Sequence, residues 1–362
     1  MAQPPHHLDQ APQGAPPRWL PGGSLSLKPC GRFAPTPTGA LHVGNAYTAL
    51  LAHISARARG YQSVLRLDDL DPRATPRGCV EAQLADLEWL GLAYDESPQR
   101  PGARGPYDQG SRGPLYAEAL DHLNQLGLIY ECRCTRRELA ALAPHASDEG
   151  VIYPGLCRPS APIAERAPLE LNQERGGASL PPALRFDLVG AVMSGLLPRV
   201  LSFRDEVMGA QRFDLITEVG DFVVRRRDGV HAYQLACVVD DVSQRCALVL
   251  RGADLLTSTA RQLALARCLE VPEPLIPSYA HVGLVVDARG ERLAKRRQST
   301  QLLGVREAGH SPEALIESLS RAWGAPRPSG TLAELIEGFE MSSLPRSAVR
   351  WSLSASPQDA QL

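Results

Sequence analysis

Lysine is almost absent from this sequence. Only Lys28 and Lys295 are lysines among its 38 basic residues, and all the others are arginines. Long apolar runs are absent as well: none approaches the roughly 18 residues of a membrane-spanning helix, so no span is expected. Because 40 acidic residues leave a net charge of −2, the chain lacks an overall positive field. Nucleic acid would therefore have to contact a local basic patch.

A secretion signal is also missing. The first 30 residues are rich in proline and glycine and have no apolar core, so we expect residues 1–29 to form a flexible tail. The eight cysteines are scattered through 362 residues, which fits a reducing cytoplasm better than a framework of disulfides. The sequence therefore predicts a cytoplasmic protein of about two or three domains that makes no contact with a membrane.

The first part of the chain alternates between strand-like and helix-like segments. GRFAP and SVLRLDD are typical of short buried strands, and helices are predicted in GNAYTALLAHISARARG and GCVEAQLADLEWLG, ending near Gly60 and Gly91. A further amphipathic helix is predicted to begin at Ser111 and end at Gly127. This alternation predicts an α/β fold with a parallel sheet and crossover helices.

The later segments are expected to return to the same sheet. DFVVRRRDGVHAYQLACVVDD and CALVLRGADLL are interpreted as strands and loops. HVGLVVDARGERLAKRRQS is interpreted as a strand or hairpin followed by a basic loop. From Gln301 onward the pattern is mostly helical, with breaks at proline and serine.

The junction GRFAPTPTGALHVGN crowds two prolines, a turn and a histidine between a strand and a helix. Ligands of open α/β sheets bind at the carboxyl ends of strands, close to helix N-termini. Gly44 would let a flat ring or a phosphate approach the backbone, and His42 would offer a donor to anionic oxygens. The alternative is a capped helix with a partly buried histidine, and this segment alone does not decide between them.

Five motifs resemble, in order, those of the class I glutamyl-tRNA synthetases. RFAPTPTGALHVGN is similar to the family signature with its HIGH motif; LRLDDLDPR, DFVVRRRDGVHAYQLACVVDD, RGADLL and the KMSKS-like RLAKR follow, over about residues 30–300. The resemblance implies a Rossmann-like catalytic domain that activates glutamate with ATP. The expected division is a catalytic domain in two halves, 30–130 and 206–300, a zinc-bearing insertion at 131–205, and a short helical region at 301–362.

The resemblance also implies the site residues. His42 and Lys295 would be catalytic, donating to phosphate oxygens and neutralising the leaving pyrophosphate. Lys295 has remained a lysine in a chain whose other basic residues are almost all arginines, which supports this role, because a compact ammonium is not freely replaced by a guanidinium. Two residues of the KMSKS-like loop depart from the family pattern, Arg292 and Ala294. The implied ATP-binding residues are His42, Gly44, Asn45 and Lys295, and the implied glutamate-binding residues are Arg32, Phe33, Ala34, Pro35, Thr36, Asp68, Tyr233 and Arg251.

Two charged groups of glutamate need partners in this set. A guanidinium binds the γ-carboxylate well, and either Arg32 or Arg251 would supply it. Asp68, where the family usually has Glu, would accept the α-ammonium. An alternative remains for the acidic stretch: it would form only an ion-pair network at a strand end, made by Arg66, Asp68, Asp69 and Asp71.

Three cysteines lie close together in the sequence after residue 130. Cys132, Cys134 and Cys157 with one further ligand would form a tetrahedral structural zinc site, and unliganded reduced thiols are the alternative. The chemistry of zinc favours His145 as the fourth ligand. However, YPGLC resembles the Tyr-x-x-x-Cys pair of short relatives of the glutamyl-tRNA synthetases, which favours Tyr153.

The length of the chain points to a particular tRNA substrate. Only 66 residues follow Arg296, too few for a helical anticodon-reading region. With the cysteine segment, this resembles the glutamyl-queuosine tRNA(Asp) synthetases, which activate glutamate without tRNA and transfer it to queuosine in the anticodon of tRNA(Asp). The expected substrates are glutamate, ATP with Mg²⁺ and queuosine-bearing tRNA(Asp), bound by a monomer. The arginines expected near phosphates are Arg136, Arg137, Arg225, Arg226, Arg227, Arg296 and Arg297.

Two other functions remain open at this point. One is a compact enzyme that charges the 3′ end of tRNA(Glu). The short C-terminal region argues against this function. The other is a non-catalytic paralogue that binds a nucleotide or tRNA as a regulator. The departures at Asp68, Arg292 and Ala294 keep that second alternative open.

Overall fold

The computed structural model describes residues 17–21, 27–135, 137–139, 152–171, 181–293 and 301–352. Its helices are α1 (Val43–Ala58), α2 (Cys79–Trp89), α3 (Gly113–Gln125), α4 (Leu188–Met193), α5 (Tyr233–Ser243), α6 (Leu256–Cys268), α7 (Leu302–Glu307), α8 (Pro312–Trp323) and α9 (Leu332–Glu337). Its strands are β1 (Cys30–Phe33), β2 (Gln62–Leu65), β3 (Ile129–Cys132), β4 (Ala183–Phe186), β5 (Val200–Asp205), β6 (Gly209–Asp214), β7 (Phe222–Arg225), β8 (Cys246–Gly252), β9 (Ser278–Val282), β10 (Val285–Val286) and β11 (Val349–Arg350).

A parallel four-stranded sheet forms the centre of the fold. Its strand order is β2-β1-β8-β9, and all three neighbouring pairs run parallel. The predicted α/β architecture is therefore confirmed. Helix α1 crosses over between β1 and β2, and its buried residues pack in the same core as those of β1, β8 and β9. The helix predicted to end near Gly60 does so, since this glycine has a φ of 69° just after α1.

A second unit is inserted between β2 and β8. It contains an antiparallel sheet of order β3-β4-β7 and the β5–β6 hairpin, so the prediction that Phe222–Arg225 returns to the parallel sheet was wrong. Its core includes α3 and α5, and also α6, which follows β8. Trp19 is fully buried in this core, so that part of the predicted flexible tail is packed instead. The division of the chain into domains stays a prediction, and its boundary after residue 205 would separate the two strands of the hairpin, because β5 ends at Asp205 and β6 begins at Gly209.

The region beyond Gln301 is mostly helical, as predicted, and packs on the catalytic sheet. Helices α8 and α9 bury residues in the core that also contains α1, and the rings of Tyr47 and Trp323 lie 6.1 Å apart. Strand β11 pairs with β10. Within the described ranges, no helix has the length and apolar character needed to cross a membrane.

Two predictions of secondary structure were wrong. Tyr233–Ser243 is a helix, α5, instead of strands and loops. Three of its eleven residues are valines, whose β-branched side chains favour strands, and eight of the eleven are buried. The third predicted helix begins at Gly113, since Ser111 lies in a short 3-10 turn whose first residues are capped by Asp108.

Candidate active site

A cavity of about 560 Å³ opens where β1 and β8 end, beside the N-terminus of α1. It brings together all eight predicted glutamate-binding residues, and also His42, Gly44 and Asn45. Lys295 and Ala294 lie outside the described residues, while Arg292 and Leu293 line the cavity. The crowded junction of the sequence therefore forms one wall of this cavity.

His42 caps the helix that begins at the cavity. Its Nδ1 accepts a hydrogen bond from the backbone N–H of Asn45 at 3.3 Å, and Asn45 Oδ1 accepts from the N–H of His42 at 3.1 Å. A neutral imidazole with Nδ1 as acceptor carries its proton on Nε2. The capped-helix interpretation is therefore confirmed, and the cap leaves Nε2 as the donor nitrogen; the predicted contact with anionic oxygens stays a prediction.

Gly44 leaves room for that imidazole. A Cβ at this position would lie 2.9 Å from His42 Cε1 and 3.0 Å from Nδ1. Such contacts are closer than side chains tolerate, so the ring would have to move. The glycine therefore has a second role besides the predicted close approach of a ligand: it keeps His42 in its capping position.

Buried ion pairs hold the floor of the cavity. Arg32 donates to both carboxylate oxygens of Asp241, at 3.2 and 3.1 Å, and Arg66 donates to Asp241 at 2.7 Å. Burial disfavours ionisation of Asp241, but the charges of Arg32 and Arg66 outweigh it and lower its pKa to about 2. Arg112 pairs with the neighbouring Asp240 at 2.5 Å.

Asp68 belongs both to this network and to the cavity wall. Its Oδ1 accepts from Arg66 Nε at 2.9 Å, and its Oδ2 faces the Cys237 thiol at 3.8 Å. Burial raises the pKa of Asp68, and the charges of Arg66 and Arg32 offset this only in part. A further cation beside Asp68 would therefore stabilise its ionised form.

The alternative of an ion-pair network is right for Asp68 and wrong for its two neighbours. Asp69 accepts from the backbone N–H of Gly110 at 3.0 Å. Asp71 pairs with Arg73 at 2.9 Å and with Arg226 at 3.0 Å. Neither therefore joins Arg66.

Arg251 has a different environment from Arg32. The residue is only 3% exposed, and its Nε donates to His281 Nε2 at 3.1 Å. The other acceptors are Tyr233 Oη at 3.4 Å, Thr259 Oγ1 at 2.8 Å and Gln262 Oε1 at 2.8 Å. Burial lowers the pKa of His281 despite its contact with Asp205, so all four acceptors are uncharged at neutral pH. Among the described residues, no carboxylate forms an ion pair with Arg251.

The predicted metal ligands form one cluster. The Sγ atoms of Cys132, Cys134 and Cys157 lie within 4.8 Å of one another, those of Cys134 and Cys157 at 3.6 Å. Tyr153 Oη is 3.5 Å from Cys132 Sγ and 3.6 Å from Cys134 Sγ. Two sulfurs on a tetrahedral Zn²⁺ would be about 3.8 Å apart, so the spacing fits such an ion.

The thiols of this cluster differ in acidity: burial raises the pKa of Cys134, whereas the pKa of Cys157 is lowered. Burial opposes ionisation of Cys157, but hydrogen bonding to Tyr153 and to the backbone lowers the pKa of its thiol to about 7. Thiolates are the form of cysteine that binds zinc. His145, the other predicted fourth ligand, lies outside the described residues.

The predicted phosphate-contacting arginines divide into three groups. Arg137 is exposed. Arg226 pairs with Asp71 and Asp228, and Arg225 and Arg227 donate to backbone oxygens of Leu171 and Pro181. Those outside the described residues are Arg136, Arg296 and Arg297. Of the predicted arginines that the structure describes, Arg137 is therefore the most accessible to a phosphate.

The geometry agrees with a family of known proteins. The catalytic-domain model of the class I tRNA synthetases (E and Q) matches residues 30–353, most of the chain. The chain belongs to this family. The resemblance predicted from the five motifs is thereby confirmed, and so is the class I synthetase fold.

Individual members are similar over most of their length. A glutamyl-Q tRNA(Asp) synthetase of Symbiobacterium thermophilum is 44% identical over 327 residues, which are 89% of this chain and 95% of that protein. One of Nitratidesulfovibrio vulgaris is 45% identical over 282 residues, 77% and 81% of the two chains. The crystal structure of a glutamate tRNA ligase from Elizabethkingia meningosepticum, solved with its amino acid, superposes with a TM-score of 0.73 at 25% identity, covering 90% of this chain and 67% of that one.

Sequence reasoning missed the residues that support the cavity from behind. Asp241 holds Arg32, and Thr259 and His281 hold Arg251. The VVDD motif marked Asp241 as part of the family resemblance, but its partner was not assigned. Thr259 lies on α6, where no motif indicated a role.

Proposed function

We propose that this chain is a glutamyl-Q tRNA(Asp) synthetase. It joins glutamate to ATP as glutamyl-adenylate and transfers the glutamyl group to queuosine in the anticodon of tRNA(Asp). The observation that carries this proposal is the identity of 44% and 45% to two proteins of that name over most of both chains. The enzyme is an ATP-dependent ligase, and its tRNA substrate would place it in the cytoplasm.

Arg251 is the proposed anchor of the glutamate γ-carboxylate. The sequence left Arg32 and Arg251 as equal candidates. Arg32 already pairs with Asp241, whereas the acceptors around Arg251 are neutral, so a substrate carboxylate would gain most at Arg251. Arg32 would instead keep the cavity floor in place, and the remaining edge of Asp68 would accept the α-ammonium.

The first step needs positioning and charge stabilisation more than a strong base. An oxygen of the glutamate α-carboxylate attacks the α-phosphorus of ATP, and pyrophosphate leaves with the electrons of the broken P–O bond. His42 would donate from Nε2 to phosphate oxygens, and Lys295 would neutralise the pyrophosphate, whose negative charge Mg²⁺ shares. Two described residues near Lys295 in the sequence support the proposal, since Leu293 lines the cavity and Gln301 pairs with His42.

In the second step a hydroxyl of the queuosine cyclopentenediol attacks the acyl carbon of the adenylate, and AMP leaves. The tRNA would lie across the mouth of the cavity, and Arg137, which is exposed, is proposed to contact its phosphates. Cys132, Cys134, Tyr153 and Cys157 would hold a structural Zn²⁺, which would stabilise the inserted unit and take no part in the reaction.

Glutamate-dependent exchange of pyrophosphate into ATP, measured without tRNA, tests the activation step. The purified chain should catalyse it, and Lys295→Ala should abolish it without lowering the unfolding temperature. Lys28→Ala is the matched control, because Lys28 is the only other lysine and its side chain is exposed. Absence of exchange in the unaltered chain would favour the non-catalytic paralogue, and normal exchange in Lys295→Ala would remove Lys295 from the mechanism.

A further inference from the structure

We propose that His281 and Asp205 are positioning residues that orient Arg251 and thereby set the selectivity for the glutamate side chain. Neither residue lines the cavity, and neither is among the residues predicted for the site. The inference rests on the proposed function, because it assumes that Arg251 binds the γ-carboxylate.

A chain of buried hydrogen bonds links the inserted hairpin to Arg251. Asp205 ends β5, and its Oδ2 lies 2.6 Å from Nδ1 of His281 on β9. His281 Nε2 in turn lies 3.1 Å from Arg251 Nε. All three residues are 3% exposed or less, so water does not compete for these contacts.

The two oxygens of Asp205 have separate tasks. Oδ1 accepts three backbone N–H groups, from Val207 at 3.0 Å, Met208 at 2.8 Å and His281 at 3.1 Å. Oδ2 faces only the imidazole among the described contacts. One oxygen therefore fixes the turn of the hairpin, and the other fixes the histidine.

This arrangement selects one tautomer of His281. An ionised carboxylate can only accept, so the imidazole donates from Nδ1 and keeps a lone pair on Nε2. Arg251 Nε can only donate, so it requires that lone pair. In the opposite tautomer the Nε2 proton would turn to Thr259 Oγ1, 3.1 Å away, and Arg251 Nε would lose its acceptor, so the guanidinium would no longer be held in position.

The donors of Arg251 are thereby divided between protein and cavity. Nε is taken by His281, and the two protons of Nη2 are taken by Thr259 and Gln262. Nη1 has one long contact, 3.4 Å, to Tyr233 Oη. Nη1 is therefore the edge presented to a ligand, and Arg251 and Tyr233 both line the cavity.

The Nη1 edge of Arg251 can only donate hydrogen bonds, and the neighbours of this guanidinium are uncharged. It therefore favours a carboxylate over a carboxamide. Glutamine would offer one carbonyl oxygen and no negative charge, whereas glutamate brings the compensating charge. Aspartate would end one methylene short of Nη1. We infer that the relay from Asp205 is what holds this edge at a fixed place.

Asp205→Asn tests the tautomer with almost no change in shape. The amide oxygen can keep the three backbone contacts, and the amide nitrogen then donates to Nδ1 and forces the proton onto Nε2. In tRNA-independent exchange, the KM for glutamate should rise about 10- to 100-fold, with the KM for ATP unchanged and the preference over glutamine reduced. Asp214→Asn is the matched control, because this residue of the same hairpin also caps backbone N–H groups and is far less buried.

A double-variant cycle separates positioning from a general effect on folding. His281→Gln has no tautomers, so adding Asp205→Asn to it should leave the KM for glutamate unchanged. A merely structural role of Asp205 would produce the same loss in both backgrounds. Equal losses would overturn the inference.

¹⁵N NMR of labelled histidine gives a second readout that does not depend on activity. His281 should be protonated on Nδ1 in the unaltered chain and on Nε2 in Asp205→Asn. A proton on Nε2 in the unaltered chain would overturn the inference even if exchange is normal. The expected tautomers in a chain without exchange would instead contradict the proposed function alone.

Discussion

The guanidinium of Arg32 meets the carboxylate of Asp241 edge to edge, with Nε 3.2 Å from Oδ1 and Nη2 3.1 Å from Oδ2. These residues are separated by 209 positions in the chain, and both are almost fully buried. The pairing uses the bidentate face of Arg32 inside the protein. Arg251 has only neutral acceptors in the described structure, and it is therefore the arginine proposed to bind an anion in the cavity.

Replacing each arginine by glutamine should therefore give opposite results. Arg251→Gln should raise the KM for glutamate by about 100-fold, through the loss of a charge-assisted contact, and should change the unfolding temperature less than Arg32→Gln does. Arg32→Gln should lower the free energy of unfolding by about 3 kcal/mol, because it removes one partner of a buried ion pair. Exchange kinetics and thermal unfolding measure both. The reverse pattern would make Arg32 the anchor.

Gly44→Ala should slow exchange by about 10- to 100-fold, because the new Cβ would displace the His42 ring by close contact at 2.9 Å. The rate should fall more than ATP binding does, since the displaced imidazole is the group proposed to donate to the reacting phosphate. Gly113→Ala is the control, as a Cβ there meets no atom within 4 Å. An unchanged rate in Gly44→Ala would show that the position of His42 does not matter.

Tyr153→Phe should lower the zinc content of the purified protein, measured by elemental analysis, while keeping the aromatic ring against Arg185, whose Cζ lies 3.7 Å from the ring centroid. Cys157→Ser should lower it further, since a thiolate is the stronger ligand. Cys268→Ala, a buried cysteine outside the cluster, should have no effect. One zinc per chain in Tyr153→Phe would instead make His145 the fourth ligand.

The pH dependence of stability should reveal the ion pairs of Asp241. Its pKa is about 2 in the folded protein against 3.8 as an ordinary side chain, so its ionised form stabilises the fold. That contribution, about 2 kcal/mol, is complete above pH 4 and is lost as the pH falls toward 2. Urea unfolding between pH 5 and 3 should show a steeper loss for the unaltered chain than for Asp241→Asn. Parallel curves would contradict this assignment.

The sequence predicted the residues that line the cavity better than the buried residues that hold them in place. The wall around His42 and Gly44 is local, because a turn, a cap and a glycine follow one another in the chain, and ordered motifs therefore placed these residues correctly. Pairings such as Asp205 with His281 join positions 76 apart, and no local pattern indicates them. Helix α5 was missed for a related reason: its three valines are typical of strands, and tertiary packing overrides that local preference.

The neighbours of Asp68 illustrate the same limit. Four charged residues close together in the sequence suggested one network, but in the structure Asp71 turns to Arg73 and Arg226, while Asp241 comes from α5 to join Arg66. Which charges meet is decided by where α5 carries Asp241, beside Arg32 and Arg66, and that position is not visible in a stretch of ten residues.

The most direct test of the central claim is the position of the glutamate on the tRNA. Labelled glutamate, ATP and the purified chain are incubated with tRNA(Asp) that carries or lacks queuosine, and the product is digested to nucleosides and analysed by mass spectrometry. The account predicts glutamate on the queuosine nucleoside, none on tRNA lacking queuosine, and full transfer to tRNA whose 3′ end has been trimmed. Glutamate found on the 3′-terminal adenosine of tRNA(Glu), and lost on trimming, would contradict it.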